Sequence, residues 1–196
     1  MSFTNIVACR KKNKLLIALS KITLAPLALF NVLINTNFDC KITNLLKMAY
    51  LLYLIGDILL LSNNNNWFVT GLISFLFGHI VFIIIFSYFT KSYLIILIAA
   101  LILIYPEIKI LNITKESKSL KIPMRIYSFI LLIFIAMSST TLNIVLIAAT
   151  SLFTLSDSFI AKNNSYKIRR YSDTAVMLTY SLALILLSIG MILLNR

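Results

Sequence analysis

Residues 53–79 read YLIGDILLLSNNNNWFVTGLISFLFGH, and the fold turns on them. An apolar run carries Asp57 four residues before its end at Leu61. The polar turn from Ser62 to Asn66 lets the chain reverse. The next apolar run opens with Trp67 and holds the single histidine, His79. In a soluble protein this would be a helical hairpin with a buried polar pair. Here 60% of the residues are hydrophobic, 12% are charged and the mean hydropathy is +0.97. The hairpin therefore reads as two membrane spans with ionisable groups inside them. Asp and His at membrane depth are costly, which makes them functional candidates.

Working outward, the other apolar runs approach or exceed the roughly 18–20 residues that cross a bilayer. They are continuously apolar, without the short alternating segments of a barrel. The expected fold is all-α: one polytopic transmembrane bundle over residues 1–196, with seven spans at about 15–36, 44–61, 67–89, 93–105, 123–139, 142–161 and 173–194. The net charge of +12 belongs to Lys and Arg at span ends and calls for no nucleic acid. Cys9 and Cys40 make neither a disulfide framework nor a metal site. The basic cluster Arg10–Lys14 leads into a full span without a small-residue cleavage site, unlike a signal peptide.

Local features refine the spans. The first contains Lys21 and Pro26, and a proline here kinks a membrane helix. Lys21 lies about 9 Å along the helix from Leu15. It can either snorkel to the interface or neutralise an aspartate inside the bundle. The third span has Gly71 and Gly78 on a face that allows close helix contact. The loop Lys109–Lys121 is solvated, and Pro123 sits in the first turn of the fifth span.

With seven spans, one side of the membrane collects the N-terminus and the loops after spans two, four and six. Those segments hold 13 of the 18 Lys and Arg, which places the N-terminus in the cytoplasm and the C-terminus outside, most simply in a bacterial inner membrane. Spans two and six then both run inward. Asp57 and Asp157 each lie four residues before the expected end of their span, so they share one depth. His79 lies about 18 Å along its helix from Trp67. One polar cavity opening at the cytoplasmic face would need this arrangement. The plain alternative for the two aspartates is an interhelical salt bridge or cap, with Lys21 as partner. His79 alone suits a structural hydrogen bond as well as a catalytic one. Tyr53, Tyr127 and Tyr180, taken singly, are packing or interface residues.

The segments LIGDILLL, FVTGLISFLFGHIVFIIIF, IPMRIYSFIL, LFTLSDSFIAKN and VMLTYSLALILL, in this order, resemble the YhhN family of multispanning membrane proteins, which includes the lysoplasmalogenases. The resemblance covers roughly residues 20–190 and places the family's polar positions on Lys21, Asp57, His79, Tyr127, Asp157 and Tyr180. The chain departs from the family pattern in having Ile22 after Lys21, Leu184 after Ala183, and seven rather than eight spans.

What the resemblance implies is hydrolysis of the vinyl-ether bond of a lysoplasmalogen, giving a fatty aldehyde and a glycerophospho-base. Such chemistry needs a carboxylic acid to protonate a carbon and a second group to activate water. Asp57 and Asp157 fill the catalytic pair, and Lys21, His79, Tyr127 and Tyr180 support it or bind substrate. No cofactor and no metal is expected, since one His and no Cys cluster build no usual zinc site. The partners expected are the bilayer and a lysophospholipid, with the oligomeric state left open. Two other readings compete: a small transporter or channel with an Asp/His ion path, and a non-catalytic membrane subunit. No inverted repeat or pair of interrupted spans favours the transporter.

Overall fold

The computed structural model describes residues 14–62, 65–92, 121–165 and 173–195. Among them the chain is all-helical, with six helices: α1 (Lys14–Asn35), α2 (Cys40–Leu59), α3 (Asn65–Tyr88), α4 (Lys121–Thr140), α5 (Ile144–Ser165) and α6 (Asp173–Leu194). The expected span 93–105 lies outside the described residues.

Capping residues explain where the helices depart from the hydropathy pattern. α2 begins four residues before the expected start at Asn44 because Asp39 is its N-cap, its carboxylate accepting from the Ile42 N–H. α5 begins two residues later than expected. Leu142 takes a left-handed φ of 57°, and the Asn143 side chain accepts from Val145 N at 3.0 Å and Leu146 N at 3.3 Å. A hydropathy window sees apolar residues, whereas these caps are polar side chains bonded to the backbone. α1 runs without a break through Pro26. Pro123 lies in the first turn of α4, where its missing N–H costs little.

Each helix packs on its neighbours in the order α1–α2–α3–α4–α5–α6, and α6 packs back on α1, closing a ring. α3 and α4 run parallel. Their C-terminal ends meet through Lys91 N to Thr140 O at 3.0 Å and a Thr90–Thr140 hydroxyl pair at 3.1 Å.

Three helical stretches are long and apolar enough to cross a membrane: Cys40–Leu59, Asn66–Tyr88 and Ala175–Leu194. Lys21–Asn35, Arg125–Thr140 and Ile144–Ile160 are shorter apolar stretches. Every helix turns large apolar side chains outward, as Phe30, Ile34, Phe129 and Ile144 do. An apolar exterior on a chain this poor in charge is compatible with a membrane protein.

Inside, an aromatic core fills the ring: Tyr50, Tyr53, Phe82, Phe86, Phe134 and Phe153 are fully buried. Two glycines bring α2 and α3 together. A Cβ at Gly56 would lie 2.7 Å from the Phe75 ring, and one at Gly78 would lie 2.5 Å from the Tyr53 ring. Each helix thus seats an aromatic ring directly on the other's backbone.

Candidate functional site

The acidic site is built on α2 and α5. On a helix, residues four apart share a face. Tyr53 precedes Asp57 by four, and Phe153 precedes Asp157 by four, so each aspartate follows an aromatic ring on the inward face. The two rings meet with centroids 5.0 Å apart. Asp57 is fully buried and Asp157 is 5% exposed.

A phenol holds each carboxylate. Tyr180 of α6 donates to Asp57 Oδ2 at 2.5 Å, and Tyr127 of α4 donates to Asp157 Oδ2 at 2.5 Å. Ser156, next to Asp157, donates to the Val176 carbonyl at 3.2 Å, and Ser74 donates to the Leu52 carbonyl at 2.7 Å. These bonds fix α5 against α6 and α3 against α2 beside the site. Asp57 and Asp157 lie within electrostatic range of each other, and Lys21 lies within range of both. Lys21 is half-buried and makes no direct ion pair among the described residues.

His79 sits between the two helices' contributions. Its Nδ1 is 2.5 Å from the Phe75 carbonyl oxygen. A carbonyl only accepts, so Nδ1 carries a hydrogen and donates. Nε2 is then the atom left to face the site, 3.7 Å from Asp157 Oδ2. That is too long for a hydrogen bond. Phe134 and Phe153 pack against the ring at 4.7 and 4.8 Å.

Four fully buried polar atoms have no hydrogen-bond partner among the described residues: Asp57 Oδ1, His79 Nε2, Tyr53 OH and Tyr50 OH. Each unpaired buried polar group costs about 1–3 kcal/mol, and native proteins keep few of them. No group of three His, Cys, Asp or Glu side chains among the described residues could hold a metal ion.

All six residues singled out in the sequence thus come into one neighbourhood: Asp57 with Tyr180, Asp157 with Tyr127 and His79, and Lys21 within electrostatic range of both acids. The helix ends are not symmetric about the acids: α2 ends two residues after Asp57, whereas α5 continues eight residues past Asp157, to Ser165. The acids are brought together by the ring closure, through α4 and α6. Taken singly, Tyr53 reads as a packing residue, yet its hydroxyl is buried without a partner among the described residues. Its position four before Asp57 puts it on the same helix face and is the signal that could have found it.

No curated protein and no solved structure matches the chain. The YhhN family model matches residues 16–191, nearly the whole sequence and every residue of the site, and the chain belongs to the YhhN family.

Proposed function

We propose that this protein is a lysoplasmalogenase-like hydrolase embedded in the membrane, which cleaves the vinyl-ether bond of a lysophospholipid. The observation that carries the reading is the paired carboxylates: two buried aspartates on different helices, each held by its own phenol, within electrostatic range of each other. General acid–base chemistry at one bond needs two such groups, and they must differ in protonation. One lysine, Lys21, offsets one carboxylate, so a neutral partner completes the charge balance of a buried site.

The hydrogen bonds favour Asp57 as the acid. Its Oδ2 accepts from Tyr180, so a proton on this side chain belongs on Oδ1, the oxygen with no partner among the described residues. That proton passes to the β-carbon of the vinyl ether and leaves an oxocarbenium centre beside the oxygen. Water attacks this centre, and Asp157 takes the water's proton, with His79 Nε2 alongside to share it. The hemiacetal then returns its hydroxyl proton to Asp57. Asp157 protonates the departing glycerol oxygen as the carbon–oxygen bond breaks. One water is consumed, one aldehyde leaves, and both aspartates end as they began.

The charge bias of the loops supports an N-terminus in the cytoplasm and a C-terminus outside, in a bacterial inner membrane. The site would then open to lipid of the cytoplasmic leaflet. The test is direct. Purified protein in detergent, given a lysoplasmalogen, should release free fatty aldehyde, and absence of aldehyde would sink the reading. Reporters fused after Arg196 and near Ser117 should report outside and cytoplasm respectively; the reverse pattern would refute the orientation.

A further inference from the structure

Three phenols converge on the acids, and two of them are bound to carboxylates. The third, Tyr53, is fully buried and lies within electrostatic range of Asp157, Tyr127 and Tyr180, yet its hydroxyl has no partner among the described residues. Its ring cannot swing away. Phe75, Phe82, Phe153 and His79 surround it at centroid distances of 5.7, 5.6, 5.0 and 5.4 Å, and Gly78 lies against its edge. A rigid phenol beside the acids thus holds one donor and one acceptor in reserve.

We propose that the Tyr53 hydroxyl is the group that binds the free glycerol hydroxyl of the lysolipid, and so selects lyso lipids over diacyl ones. The identity of this ligand rests on the hydrolase reading above. In a lysolipid the free hydroxyl sits on the carbon next to the one bearing the ether. A group that recognises it must therefore stand beside the groups that act on the ether, as Tyr53 does, one turn before Asp57 on α2 and edge-on to the His79 ring at 5.4 Å. An alcohol can both donate to and accept from a phenol. An ester at that position has no donor and adds bulk inside a packed aromatic wall. A site built to bond a hydroxyl rejects the analogue lacking it, because its own buried group is left unpaired.

The experiment uses two saturated 1-O-alkyl glycerophospholipids, which the enzyme cannot hydrolyse: one with the free 2-hydroxyl and one 2-deoxy. Binding is measured on full-length protein in detergent. The wild type should bind the hydroxyl compound about tenfold more tightly than the deoxy compound. Tyr53→Phe keeps the ring and should bind the two equally, with no fall in melting temperature, since it loses no internal bond. Tyr50→Phe removes the other unpartnered phenol, about 10 Å further along α2 from Asp57, and should keep the wild-type preference. Equal binding by the wild type, a preference that survives in Tyr53→Phe, or its loss in Tyr50→Phe as well would overturn the proposal. Aldehyde release from a vinyl-ether substrate is read separately. Its absence would refute the hydrolase, while the binding comparison would still decide the role of Tyr53.

Discussion

The ring carries polar side chains toward both ends, and the two sets are treated differently. Toward the end where α3 and α4 finish, Ser138 pairs with Thr150 at 2.8 Å, Thr90 with Thr140 at 3.1 Å, and Asn31 with Ser188 at 3.3 Å. Thr141 bonds the Ser138 carbonyl, and Asn143 reaches the Gly190 carbonyl. Around the acids the pattern reverses: Asp57 Oδ1, His79 Nε2 and Tyr53 OH are buried without a partner among the described residues, as is Tyr50 OH about two turns before Asp57. Hydroxyls that bond their own backbone or a neighbour tie helices together. Acids and phenols left with spare bonding capacity cost stability, and proteins accept that cost at sites that bind or react.

Removing the titrating groups should give the largest effect. Asp57→Asn and Asp157→Asn keep the shape and the acceptor oxygen for Tyr180 and Tyr127. Each should lower aldehyde release about 10²–10⁴-fold while the protein stays folded in detergent. Near-normal turnover in either variant would make that aspartate structural and the two halves alike.

Lys21→Met comes next. Lys21 serves both acids electrostatically, so its loss should cut turnover roughly tenfold, as removal of a charge-assisted interaction does. Lys14→Met, at the start of α1, is the control and should be near wild type. Equal, mild effects would mean that Lys21 only snorkels.

Much of this contrast could be read in the sequence, and part could not. The six expected spans that fall among the described residues correspond to helices, because continuous apolar runs of this length admit no other backbone in lipid. The ends were less legible, since Asp39 and Asn143 set them through single side-chain bonds. Asp57, Asp157 and His79 stood out because ionisable groups are rare in such runs. Tyr53 did not, because a tyrosine among apolar residues looks like packing until its hydroxyl is seen to lack a partner. Which phenol serves which acid depends on α6 closing against α1 and α4 lying against α5, and no local pattern encodes that.

The two phenols should not be equivalent. Tyr180→Phe takes from Asp57 its one protein hydrogen bond among the described residues, leaving both oxygens unpaired. Tyr127→Phe leaves Asp157 still facing His79 at 3.7 Å. Tyr180→Phe should therefore lower kcat about tenfold and Tyr127→Phe a few-fold, on the worth of one buried hydrogen bond. The opposite order would exchange the roles given to the two acids.

The smallest effect belongs to the far end. Ser138→Ala removes a fully buried hydroxyl that bonds the Ile135 carbonyl and meets Thr150. Thr150 is not stranded by this, because its hydroxyl also reaches the Ile147 carbonyl at 3.1 Å. The Ile135 carbonyl lies within a helix and keeps its backbone role. The loss is one net hydrogen bond with no orphan, about 0.5–1.5 kcal/mol, read as a small drop in melting temperature. Aldehyde release should not change, since the pair ties α4 to α5 well away from the acids. If Ser138→Ala reduced turnover as far as Tyr180→Phe does, the far end would be part of the site, and spare bonding capacity would no longer mark where the chemistry lies.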